Sequence, residues 1–156
     1  MKRPISKLFQ SALLSAGLVA VAAVGTAMAQ DPADAVKQRQ SQMKEIGGAM
    51  KSIQAFVKDG KGTAAEVKTA AETVVTTGPK FEGLWPEGTA VGFGKSEAKA
   101  AIWTEMEKFA KGFQAMGQQA ELLVKVADTG DRAAIGKQFG ALYETCKSCH
   151  EAYHED

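Results

Sequence analysis

The chain of 156 residues ends in CKSCHEAYHED, and its only two cysteines, Cys146 and Cys149, stand beside His150, one of only two histidines. Two thiols and an imidazole within five residues support three kinds of chemistry: a redox or disulfide pair, a zinc site, or thioether attachment of a haem with the imidazole as axial ligand. Cys146 and Cys149 are three apart, so on a helix their sulfurs share a face, and His150, four from Cys146, sits beside them. The spacing C-x-x-C-H is the attachment signal for c-type haem, with the histidine ligating iron. A zinc reading would use Cys146, Cys149, His150 and His154, but Cys149 and His150 are adjacent on a helix and diverge by about 100°. A redox pair expects C-x-x-C at the start of a helix beside a strand; here it falls at the end of a helix in a chain with almost no strand pattern. The pentapeptide and the exported context favour one covalent haem c over the other two.

The first helix offers further candidates. Arg39 interrupts an apolar seam between Val36 and Met43, with Gln40 next to it. A guanidinium on a buried face needs an anion, and the carboxylates of a haem suit it bidentately. The competing reading is an arginine at the bundle end that snorkels to water. One turn further on, Met43 is placed to lie over the haem face opposite His150, or else to fill core as Met50, Met106 and Met116 do.

The elements that must position these residues read as four amphipathic helices. The first opens at Asp31-Pro32, an N-cap acid followed by proline, runs to about Lys58 and stops near Asp59-Gly60. The second starts at Thr63, with Glu66 completing a capping box, and stops at Gly78-Pro79. A turn-rich loop, FEGLWPEGTAVGFGK, follows. The third helix is expected from Ser96 to about Asp128 and the fourth from Asp131 to the motif. Apolar residues recur in alternating steps of three and four: Val36, Met43, Ile46, Met50, Ile53 and Val57; Ile102, Met106, Phe109, Phe113, Met116, Ala120 and Leu123; Ile135, Phe139, Leu142, Cys146, Cys149 and Tyr153. The second helix carries the weaker set Val67, Ala70 and Val74. Four narrow seams predict an all-α antiparallel four-helix bundle enclosing one covalently attached haem. Glycines inside these helices, among them Gly112 and Gly136, mark close helix crossings or room for a flat ligand.

The first residues read as a leader. Lys2, Arg3 and Lys7 precede an uncharged apolar run from Leu8 to Val24, and Ala27-Met28-Ala29 is an A-x-A cleavage site. The expected organisation is residues 1–29 as a cleaved secretory signal peptide and residues 30–156 as one domain, placed in the periplasm. No later stretch approaches the about 18 unbroken apolar residues of a membrane span, so no membrane association is expected after cleavage. The remaining 127 residues carry 16 basic and 18 acidic side chains. That balance gives no support to nucleic-acid or anionic-membrane binding, and two cysteines do not make a disulfide scaffold.

With CKSCHEAY at the C-terminus, RQSQM on the first helix, WPEGT in the loop and EAKAAIW opening the third helix, the chain resembles the class II c-type cytochromes, the cytochrome c′ family including its low-spin members. The resemblance covers essentially the whole mature chain. It implies thioether links to Cys146 and Cys149, an axial ligand at His150, Arg39 and Gln40 near the propionates, and Met43 at the distal position. It implies either a Met43 that ligates iron, as in low-spin members, or one that shields a vacant iron site. It also implies dimers through the first two helices. Where the family often carries Arg or Lys, four residues after the ligand histidine, this chain has His154, so chemistry that depends on a permanent positive charge there does not carry over. The expected function is electron transfer, with Met43 as sixth ligand and redox proteins as partners. The alternative is a five-coordinate haem that binds nitric oxide, carbon monoxide or other small gases. No enzymatic role is expected, because the stretch around Met43 offers no acid-base histidine.

Overall fold

The computed structural model describes residues 30–155; the predicted leader, residues 1–29, lies outside them. Four long helices dominate. Helix α1 is Pro32–Asp59, α2 is Ala64–Thr77, and a short 3-10 turn, Gly78–Phe81, ends that pair. After the loop come a single-turn α3, Ala101–Thr104, then α4, Met106–Ala127, and α5, Arg132–Tyr153. Among the described residues there is no strand, only an isolated antiparallel bridge between Ala98 and His154. No described helix is long and apolar enough to cross a membrane.

The ends of the helices follow from their sequence. Asp31 accepts the backbone N–H of Ala33 and Asp34, and Asp131 does the same for Ala133 and Ala134. Thr63 and Glu66 form the expected reciprocal capping box. Gly60, at φ 67°, closes α1 in the left-handed conformation that a side chain resists.

Helices α1, α2, α4 and α5 close a ring, each packed on two neighbours, with the α1–α5 side the loosest. The neighbours run antiparallel. Lys68 near the start of α2 pairs with Asp128 just beyond α4, and Arg132 at the start of α5 donates twice to the Val57 carbonyl near the end of α1. The main core is built from Ile46, Ile53, Val67, Val74, Leu123, Ile135 and Leu142, with Phe81 reaching in from the 3-10 turn. A Cβ at Gly136 would stand only 3.1 Å from Val57, so this glycine permits a close α1–α5 crossing.

The expected third helix needs correction in two respects. It does not begin at Ser96, because residues 97–99 are committed elsewhere: Lys99 N–H donates to the Tyr153 carbonyl and Glu155 N–H to the Glu97 carbonyl. A segment whose backbone pairs with the end of α5 cannot also propagate a helix. The helix is then interrupted at Glu105 (φ −123°, ψ 32°), which shifts its phase. Ile102 and Phe109 remain buried on either side of the break, but Met106, assigned to the seam, is exposed.

Candidate functional site

Where α1 begins and α5 ends, the side chains surround a cavity of about 460 Å³, within the roughly 300–1,000 Å³ of ligand-binding sites. Helix α1 contributes Val36, Arg39, Gln40 and Met43, and α5 contributes Cys149, His150 and Tyr153. Phe109 and Phe113 of α4 line another side, and Phe81, Trp85 and Ser96 come from the connection after α2. Five of the six residues singled out from the sequence, Arg39, Gln40, Met43, Cys149 and His150, therefore line one cavity. The sixth, Cys146, lies one turn back along α5 and packs against the main core.

Both cysteines are free and half-buried. Burial pushes the Cys146 thiol up from its ordinary range, and burial together with the neighbouring Cys146 pushes Cys149 up to about 11. Neither thiol is a poised thiolate, which argues against a redox pair. Gly112 of α4 faces Cys149, and a Cβ there would lie 3.7 Å from the sulfur. His150 is exposed and stacks on His154 with ring centroids 5.1 Å apart and an interplanar angle of 16°. His154 Nε2 lies 3.2 Å from a Glu97 carboxylate oxygen. Among the described residues no group of three or more His, Cys, Asp or Glu is placed to share a metal ion.

Arg39 does not snorkel to water. It is 5% exposed and its Nη2 donates to the Thr89 carbonyl at 3.0 Å. Its guanidinium carbon lies 4.4 Å from the centroid of the Trp85 ring, a cation–π geometry. Burial lowers its pKa from the ordinary value, yet a guanidinium remains charged in proteins. Its Nη1 is buried with no hydrogen-bond partner. Gln40 Nε2 donates to the Lys95 carbonyl at 2.6 Å. The two polar residues of α1 thus hold the loop over the cavity.

Sequence reasoning missed the partners of Arg39: Trp85, Thr89 and Ser96. The signal was present in a tryptophan beside proline within a polar, turn-rich loop, an apolar anchor where solvation alone asks for none. The aromatic wall was also larger than its seam positions implied. Trp85 meets Phe109 edge-on at 4.6 Å and Phe81 stacks on Phe113 at 4.7 Å.

These features fit a flat, dianionic, iron-bearing macrocycle. The walls are apolar and aromatic, one buried cationic donor lacks an acceptor, two unbridged thiols lie on one helix face, and an imidazole stands beside them. The family model described as Cytochrome C' matches residues 34–154. Cytochrome c' of Rhodospirillum rubrum is 35% identical over 144 residues, covering 92% of this chain and 97% of that protein. A solved cytochrome c' described for an unusual ligand-controlled dimer dissociation is 30% identical with a TM-score of 0.74, covering 81% of this chain and 98% of that one. Variants of cytochrome c prime from Alcaligenes xylosoxidans, solved as a nitric oxide complex and with carbon monoxide bound, are each 28% identical. They cover 81% of this chain and 97% and 98% of theirs, with TM-scores of 0.71 and 0.70, respectively. By sequence, by fold and by the residues around its cavity, the chain belongs to the cytochrome c′ family.

Proposed function

We propose that this member of the family, which carries one covalently attached c-type haem, is a periplasmic protein that binds small neutral gases, nitric oxide and carbon monoxide in particular, rather than an enzyme. Cys146 and Cys149 hold the haem through thioethers, His150 supplies the axial imidazole, Arg39 and Gln40 serve its carboxylates, and Met43 shields the opposite face. When bound, the haem supplies an iron with affinity for diatomic ligands. The periplasmic placement rests on the leader read from residues 1–29.

One observation carries this reading: the character of the α1 wall. Val36 and Met43 are its apolar members, while Arg39 and Gln40 already donate to loop carbonyls. The exposed Lys44 also lines the cavity, but no histidine or carboxylate of α1 does. Such a wall accepts an uncharged diatomic and disfavours a hydrated ion or a substrate that needs proton transfer. The gas complexes of the Alcaligenes relative support the same reading. A specific observation keeps the electron-carrier reading as second. Met43 is half-buried on the same cavity as His150, and a thioether there is able to ligate iron and raise its potential. The resemblance further implies homodimers through α1 and α2.

Carbon monoxide association separates the two. If Met43 is a shield, Met43→Ala accelerates association by about tenfold, the equivalent of removing about 1.4 kcal/mol of steric barrier, and leaves the ferric spectrum unchanged. A ferric spectrum converted from low-spin to high-spin by Met43→Ala would replace gas binding with electron transfer.

A further inference from the structure

The loop that covers the cavity contains a buried polar pair, Thr89 at the end of the WPEGT stretch and Ser96 just ahead of EAKAAIW. Thr89 is 0% and Ser96 8% exposed, and both meet Arg39. Ser96 Oγ donates to the Thr89 carbonyl at 2.7 Å, the same oxygen that takes Arg39 Nη2 at 3.0 Å. Nη2 also stands 3.5 Å from Ser96 Oγ, and the Ala98 N–H reaches that hydroxyl at 3.4 Å. Thr89 Oγ1 fixes the preceding turn by donating to the Pro86 carbonyl at 2.8 Å. The hydroxyl of Ser96 is therefore the knot that joins Thr89, Ala98 and the guanidinium.

We propose that Ser96 is a positioning residue for haem: it pins the Thr89 carbonyl against which Arg39 rests, and so presents the unpartnered Nη1 to a haem carboxylate. The inference rests on the proposed role of Arg39. The Trp85 ring fixes the guanidinium by its face and the Thr89 carbonyl fixes one edge, so a single orientation remains for Nη1. A buried, charged donor without an acceptor is costly, and the cavity that Arg39 lines is where an anion would answer it. Between Thr89 and Ser96 the chain passes through Gly92 and Gly94, both at positive φ. Without the serine hydroxyl this glycine-bearing segment has no side-chain tie to the carbonyl that holds Arg39. The effect of Ser96 must then pass through the arginine.

The test is a double-mutant cycle on the midpoint potential of the haem-loaded protein. Arg39→Leu leaves a buried carboxylate uncompensated, which favours ferric iron and lowers the potential. Ser96→Ala should lower it in the same direction by a smaller shift, Ser96→Thr should restore the wild-type value, and Ser96→Ala in the Arg39→Leu background should produce no further shift. A Ser96→Ala potential equal to wild type, or a shift that persists undiminished without Arg39, would overturn the proposal. A second readout needs no Ser96 variant. In the reduced, carbon monoxide-treated protein, diamagnetic whether iron takes the gas or keeps Met43, a pinned Arg39 should give two resolved Nη nitrogen signals. A single averaged signal would also overturn it. Both readouts stand apart from carbon monoxide kinetics, which decide the function of the site.

Discussion

At the end of the bundle where α1 finishes and α5 begins, side chains close the core by themselves, whereas at the opposite end they surround a cavity. At the first end Ile53, Val67, Leu123 and Ile135 are essentially inaccessible, Val57 seats against Gly136, and Arg132 spends its donors on the Val57 carbonyl. At the second, a buried arginine keeps one nitrogen without a partner and two thiols share a face without a bridge. The same helices serve both ends, so the difference lies in side chains. Where the seams are aliphatic on all four helices, hydrophobic burial completes the fold. Where α1 and α5 substitute Arg39, Gln40, Cys146, Cys149 and His150, the protein gives up self-complementary packing for the groups that we propose hold the haem.

That contrast is open to attack from both ends. The largest effect belongs to attachment. Acid-acetone extraction of the denatured wild type should leave all haem on the polypeptide, Cys146→Ala or Cys149→Ala should each leave at most one thioether, and the double variant should release all haem. Next is the self-sufficient end. Ile53→Ala should cost about 2–5 kcal/mol in denaturant unfolding, as buried aliphatic truncations do, without altering the haem spectrum. A changed spectrum would mean that the two ends are not independent. A smaller effect is expected at the cavity, where Met43→Leu keeps the volume and should cost less than about 1.5 kcal/mol. The smallest concerns Glu105, at the break before α4. Hydrogen bonds from Lys108 and Tyr153 hold its carboxyl below the ordinary range. A depressed folded pKa stabilises the protein above the unfolded value and loses that contribution as pH falls through the folded one. Glu105→Gln should therefore flatten the acid limb of the stability-against-pH curve slightly and leave neutral-pH gas binding untouched.

Much of this was legible before any coordinates. The capping residues Asp31, Thr63 with Glu66, and Asp131 announce helix starts because each satisfies orphan N–H groups locally. The seams of α1 and α5 are periodic because a single face of each is buried. The pentapeptide pointed to the end of the bundle that holds the cavity, which Cys149 and His150 line. What escaped reading depends on contacts distant in sequence. Residues 97–99 are written like a helix start, and only their pairing with Tyr153 and Glu155 makes them extended. Met106 keeps the seam's spacing, but the interruption at Glu105 turns it outward. The surroundings of Arg39 were invisible because Thr89 and Ser96 lie 50 and 57 residues away along the chain.

The account turns on Met43, which lines the same cavity as His150, and the absorption spectrum of the ferric and ferrous protein, without and with carbon monoxide, addresses it most directly. If Met43 shields an accessible iron, the ferric spectrum is high-spin, lacks a sulfur-to-iron charge-transfer band, and the ferrous protein takes up carbon monoxide without displacing a protein ligand. A low-spin ferric spectrum bearing that band, lost in Met43→Leu and accompanied by slow carbon monoxide uptake, would contradict gas binding and make the protein an electron carrier.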